Sequence, residues 1–319
     1  MDRHSETVLH IISSLKNQAQ AVTVQAIKSS MAWAAAGIDY ASAIDRLVAS
    51  GYVAYAGRDC LTLTQKGKLE AERIRDKKVR EEFDHLIDRC TQSSAYLDFC
   101  EELYGYRLYL FNMMDKRQLD ELFAGLRLYS KDTVLDMGCG TGSLLNRIVE
   151  KFGCKGTGVD RLSASIVSRL SPAIGYRQAD MDEMLDFDAS AVLFVDSLYF
   201  SRDCGRLLSR LKDSTMKAYM YYSTYLFEET DDKALLRADQ TPLAQVLSRL
   251  GLAYKAADYS ECEYLLYERG LKLLAKYEMH FAVQGINDIF ERRFAEYKFG
   301  AELYEQGRAS RYLYTVDST

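Results

Sequence analysis

The sequence predicts an α/β chain in which a mainly helical domain, residues 1–90, precedes a larger domain of alternating strands and helices. Three observations predict it. The run "TVLDMGCGTGSLL", Thr133–Leu145, passes from a short apolar strand through three alternating glycines into a segment of helical spacing. A second strand, "GTGVD", follows at once and ends in Asp160. Before residue 90 the periodicity is almost wholly helical.

Composition sets the bounds. The chain has 319 residues, enough for about two domains. Hydrophobic residues make up 48% and charged residues 27%, which supports a packed core. The net charge of −5 argues against a nucleic-acid coat. No apolar run approaches the ~20 residues of a membrane span, and "MDRHSETVLH" lacks the layout of a signal peptide. The seven cysteines are scattered and never spaced C-x-x-C, so no disulfide framework or metal site is expected and a reducing cytoplasm fits best.

In the first domain Val8, Ile11, Ile12 and Leu15 mark one helix. A second is expected over Thr23–Trp33. A third runs from about Asp39 to Ser50, with Tyr40, Ile44, Leu47 and Val48 on one side, and Gly51 ends it. "YVAYAGRDCLTLT" reads strand, turn, strand, with the bend at Gly57-Arg58-Asp59, and a long charged helix follows. This order resembles a winged-helix domain. Residues 1–90 carry 13 Lys+Arg against 12 Asp+Glu, and the third helix sets Asp39 and Asp45 against Arg46 alone. A DNA reader needs phosphate-neutralising cations. Docking or dimerisation, with a homodimer as the outcome, is therefore expected in place of DNA binding.

In the second domain the glycine turn offers free backbone N–H groups and lets a ligand approach closely. Asp160 is placed to accept the hydroxyls of a ribose. A nicotinamide site uses G-x-G-x-x-G under a pyrophosphate. Here the pattern is D-x-G-x-G-x-G, and Asp136 would repel a pyrophosphate but attract a cation. The motif suits a nucleoside joined to a positively charged amino acid.

"VLDMGCGTG" followed by "GVD" resembles motif I and the second-strand acid of the class I S-adenosylmethionine-dependent methyltransferases, and the resemblance extends over about Thr91 to Thr319. It implies a Rossmann-like seven-stranded domain over 131–319 with S-adenosylmethionine as cofactor. Asp136, Gly138, Cys139, Gly140, Gly142, Asp160 and Arg161 would bind it. "YRQADMDEM" resembles the third strand and its turn, placing Asp180 near the adenine amino group and Met181 against the ring. "AVLFVDSLYF" resembles strand four, which would bring Asp196, Ser197 and Tyr199 to the transferable methyl. "MKAYMYYSTY" and "SRYLYTV" would be the fifth and last strands.

Residues 91–130 form an aromatic-rich connector whose place in the family is that of a cap. Tyr104, Tyr106, Tyr109 and Phe111 are its pocket candidates. Helix–helix packing is the alternative for them. A helical insertion over about 261–307, with Tyr264, Tyr267, Leu271 and Leu274 on one face, is expected to form a substrate lid. The donor is already activated, so the motif implies no obligatory base. Asp196, Tyr199 and His280 are the candidates should one be needed. "DSLYF" lacks the proline-containing runs of enzymes that methylate nucleobases, and no metal cluster suggests a catechol-type site. A small molecule or peptide remains as substrate. Tyr199, Tyr221, Tyr222 and Tyr225 are read as an aromatic pocket for an amine, or else as ordinary strand residues. An amine nitrogen is thus favoured over oxygen or sulfur as acceptor. The alternative is a regulator whose winged helix binds DNA while the second domain only senses the cofactor.

Overall fold

The computed structural model describes residues 1–2, 5–6, 8–9, 12, 23, 40–56, 60–184, 187–212, 216–226 and 232–317. The chain divides into two compact units, Met1–Phe83 and Asp84–Thr319. In the first, helix α1 (Tyr40–Ala49) buries Ile44 and Leu47, as their spacing predicts. Strands β1 (Val53–Tyr55) and β2 (Leu61–Leu63) pair antiparallel, with Val53 opposite Leu63. Thr23 bridges Cys60 and so does not open a helix. The rest of the expected second helix and the bend at 57–59 lie outside the described residues. Helix α2 (Gln65–Gln92) follows, and its residues from Asp84 onward belong to the second unit.

The second unit continues with α3 (Ser94–Tyr104), capped by Ser93, and α4 (Lys116–Leu126), capped by Asp115. Then come β3 (Thr133–Met137), α5 (Ser143–Phe152), β4 (Lys155–Asp160), α6 (Ala164–Leu170) and β5 (Gly175–Gln178). After these lie β6 (Ala191–Val195), α7 (Cys204–Leu208), β7 (Lys217–Tyr225), α8 (Pro242–Leu250) and β8 (Lys255–Asp258). Two long helices, α9 (Ser260–Val283) and α10 (Asn287–Glu305), precede the last strand, β9 (Ala309–Val316).

The strands form one seven-stranded sheet in the order β5-β4-β3-β6-β7-β9-β8. It is parallel except where β9 runs antiparallel to β7 and β8. β3 and β6 are short apolar runs because helices cover both faces of the sheet. One face packs Val192, Phe194 and Met220 under α7 and α8. The other packs Val134, Leu193 and Tyr221 under α4 and α5. α9 and α10 are the predicted insertion, and Tyr267 and Leu274 of its apolar face are buried against α3. No helix among the described residues is long and apolar enough to cross a membrane. The order reverses between β4 and β6 around β3. Ligands of open α/β sheets bind beyond the strand ends at such a point.

Candidate active site

The glycine turn sits at that point. Gly138, Gly140 and Gly142 all have positive φ. At Gly138 a Cβ would stand 2.4 Å from the Ser197 Cβ, so the close approach of β3 to the tip of β6 requires glycine. At Gly140, φ is +53° and a Cβ would meet nothing within 4 Å. The turn thus opens onto free space at its second glycine.

Asp136 lies buried at the end of β3, with 2% of its surface exposed. Its Oδ1 is buried without a hydrogen-bond partner, which is rare for a buried polar atom. Burial, and then the charge of Asp160, push its carboxyl up to about 7. Asp160 braces the turn: its Oδ2 accepts from the Gly140 N–H at 2.8 Å and its Oδ1 from the Leu162 N–H at 2.9 Å. Each oxygen retains lone-pair capacity for a hydroxyl donor. Cys139 offers the crevice no group. Its thiol packs toward Gly158 and its N–H donates to the Val159 carbonyl.

Met181 lies at the turn, its methyl 3.4 Å from where a Gly138 Cβ would stand. Asp180 is more heavily engaged than the sequence suggests. It accepts from Arg161, from Arg202 at 2.7 Å and from the Asp182 N–H at 3.0 Å. Arg161 is thereby turned toward Asp180. Ser197 uses its hydroxyl internally, donating to the Met137 carbonyl at 2.5 Å.

At the tip of β6 one of the three candidate bases, Asp196, serves as an anchor. Asp196 has φ +51°, a left-handed conformation unusual for a residue other than glycine. Both its oxygens accept from Arg311, at 2.7 and 2.9 Å, and Oδ2 also accepts from the Met113 N–H at 2.9 Å. With its oxygens committed to these donors, Asp196 is not a free proton acceptor. Tyr199 is not one either. The residue is 41% exposed, and its ring is tilted against that of Tyr222 with centroids 4.8 Å apart. Its hydroxyl turns inward, accepts from the Ser223 N–H at 2.6 Å and faces Asp196. Burial of that hydroxyl, and then the Asp196 charge, hold the phenol well above its ordinary pKa. β6 leaves the sheet after Val195, and the Tyr199 hydroxyl takes the place of its next carbonyl. Tyr199→Phe should therefore leave a buried N–H unpaired. The expected loss is about 1–3 kcal/mol of stability, measured by urea denaturation.

Three further candidates fall elsewhere. Tyr104 is fully buried, and its hydroxyl lies 3.0 Å from that of Tyr297; it is core between α3 and α10. Tyr106 turns outward to Asp120 and Lys116 on α4. His280 is exposed near the end of α9, 17 residues beyond Glu263. At the helical rise that is about 25 Å along the axis, too far for a base near Asp196. Tyr221 and Tyr225 also point inward, to Gln118 and Glu263. Tyr109 and Phe111 do lie in the segment beside the turn. The Thr141 hydroxyl donates to the Tyr109 carbonyl at 3.1 Å, and Phe111 stacks on Tyr96.

Sequence reasoning missed Arg311, Glu263 and Gln118, all buried. Arg311 donates to Ser223 Oγ at 2.9 Å and lies 3.3 Å from Glu263 Oε1. The Glu263 carboxyl is pushed up by burial and also accepts from Ser223, Tyr225 and Tyr304. A signal was present. An arginine inside the apolar strand "SRYLYTV" must be buried, and a buried guanidinium requires anionic partners.

Comparisons with known proteins bear on the fold. The model of the family described as methionine biosynthesis protein MetW matches residues 124–225. No curated protein matches the chain in sequence. The structure is similar to that of phosphoethanolamine N-methyltransferase 2 from Haemonchus contortus, solved with phosphomonomethylethanolamine and S-adenosylhomocysteine. The TM-score is 0.59 at 13% identity, over 74% of this chain and 60% of that one. It is also similar to the cyclopropane synthase MmaA2 from Mycobacterium tuberculosis, with TM-score 0.56 and 12% identity over 73% of this chain and 98% of that one. The chain thus spans about three-fifths of the first of these proteins. At such identities the likeness concerns the fold, and the chain has the seven-stranded α/β fold of class I S-adenosylmethionine-dependent methyltransferases.

Proposed function

We propose that this chain is a methyltransferase that takes its methyl group from S-adenosylmethionine and acts on a small molecule, with an amine nitrogen as the favoured acceptor. One observation carries the reading. The unpartnered, buried Oδ1 of Asp136 lies beside a glycine turn that opens into free space at Gly140. An anionic socket there suits a cationic amino-acid group and disfavours a pyrophosphate. Asp136 would face the cationic end of the cofactor, Asp160 the ribose, and Met181 with Asp180 the adenine. The bound cofactor supplies an activated methyl on a sulfonium. The chain's own residues orient the acceptor and keep water away. The Tyr199 ring beyond the tip of β6 and the neighbouring Tyr222 ring of β7, tilted against each other at 4.8 Å, would hold an ammonium or amine against their faces. The near-neutral first unit is assigned a docking or dimerisation role.

Calorimetric titration with S-adenosylmethionine, S-adenosylhomocysteine and NAD tests the reading. Binding of the first two and not of NAD is expected, and the reverse result would sink it. Incubation of a metabolite extract with labelled donor, followed by mass spectrometry, then identifies the acceptor.

The same titration has a pH dependence whose sign follows from Asp136. Its folded carboxyl titrates near 7, whereas an unfolded one titrates near 4. As pH rises from about 4 to about 7 the unfolded chain releases this proton first, so Asp136 lowers stability over that window. A bound cation favours the ionised form. Affinity for S-adenosylmethionine should therefore rise from pH 5 to 7 and level off above it. Asp136→Asn should flatten the profile. A wild-type affinity independent of pH would remove Asp136 from the cation's surroundings.

A further inference from the structure

The segment 105–115 runs from α3 to α4 beside the glycine turn, and the backbone of one of its residues, Met113, is held at both its N–H and its carbonyl. The Met113 N–H donates to Asp196 Oδ2 at 2.9 Å, and the Met113 carbonyl accepts from Gln118 Nε2 at 3.2 Å. Both gripping side chains are oriented by one guanidinium. Arg311 donates through Nη1 and Nη2 to Asp196, and through Nε to Gln118 Oε1 at 3.0 Å. Arg311 itself is wholly buried, on β9, with its guanidinium over the Tyr221 ring at 5.4 Å. Four residues earlier the same segment meets the turn, where Thr141 donates to the Tyr109 carbonyl.

We infer that Arg311 is a positioning residue: acting through Asp196 and Gln118, it clamps the Met113 backbone at its N–H and its carbonyl and so holds segment 105–115 against the glycine turn. The segment's bearing on a cofactor rests on the function proposed above. The clamp itself does not. A planar fork with three directed donors is what the arrangement requires. Lysine keeps the charge but cannot reach Asp196 twice and Gln118 at once. Glu263 lies 3.3 Å from Nη1 of the same guanidinium and makes no bond to Met113, which makes it an internal control.

Amide hydrogen exchange of the full chain tests the clamp, read in a peptide spanning residues 110–115. In Arg311→Lys the Met113 amide should exchange about tenfold faster or more, because its acceptor is no longer held. Gln118→Met, which removes the grip on the carbonyl, should act in the same direction. It carries the comparison if Arg311→Lys does not fold. Glu263→Gln should leave this amide as it is in the wild type, and β9 should remain protected in all three. An unchanged Met113 amide in a folded Arg311→Lys protein would overturn the inference. So would equal loss of protection in Glu263→Gln, which would mean a general loosening. The release rate of S-adenosylhomocysteine gives a second reading, expected about tenfold faster in Arg311→Lys and unchanged in Glu263→Gln. An unchanged rate in Arg311→Lys overturns the segment's hold on the crevice. If the wild type binds no S-adenosylhomocysteine, the methyltransferase reading fails instead and the exchange pattern still decides the clamp.

Discussion

Arg311→Met is expected to cost about 3–5 kcal/mol of folding stability, a large part of what a domain of this size holds. The reason is what it leaves behind. Asp196 would lose both of its guanidinium bonds, and the fully buried Glu263 would lose the cation that offsets its charge. Removing one partner of a buried ion pair strands the other in a medium that solvates it poorly. Methionine has the length to fill the volume, so the loss would be electrostatic and not a cavity effect. Denaturant titration measures it. Adding Asp196→Asn and Glu263→Gln to Arg311→Met should recover more than half of the loss, since no buried charge is then left unpaired. A single variant within about 1 kcal/mol of the wild type would show that water reaches the network.

Gly140→Val is expected to weaken binding of S-adenosylmethionine at least a hundredfold, or about 2.7 kcal/mol. Two effects add. The backbone at φ +53° is left-handed, where a β-branched residue is strained by roughly 1–2 kcal/mol. The side chain would also project into the open space next to the turn, where the ligand must approach. The fold should survive, because a Cβ at Gly140 would meet no protein atom within 4 Å. Calorimetry with circular dichroism on the same sample separates the two. A folded variant that binds within threefold of the wild type would place the ligand elsewhere.

The strands and the glycine turn were legible because their signals are local. "TVLDM" is a short apolar run bounded by glycines, and alternating glycines before a helical spacing leave little choice but a strand-to-helix turn. The helices between β8 and β9 were legible for the same reason, since Tyr264, Tyr267, Leu271 and Leu274 recur at helical spacing. For Tyr104, Tyr106 and His280 the sequence left two readings open, because aromatic content and position along the chain do not say which way a side chain points. Tyr104 faces α10, the half-buried Tyr106 reaches Asp120 on α4, and His280 lies far down a helix whose other end is at the site.

Asp196 illustrates the limit most clearly. Its place at the tip of β6 follows from strand spacing, and the sequence by itself determined that an acid would stand there. Whether that acid is a free base or an anchor was decided by Arg311, which lies 115 residues later and meets it across β7. The sequence likewise determined the turn, the spaced acids at 136 and 160 and the strand order's raw material. Only the tertiary structure decided which carboxylates are neutralised by a partner and which, like Asp136, are left buried with an oxygen unpaired. The physical reason is that strand and turn propensities act over a few residues. Charge pairing in a poorly solvating interior depends on distances of about 3 Å between groups that only the packed chain brings together.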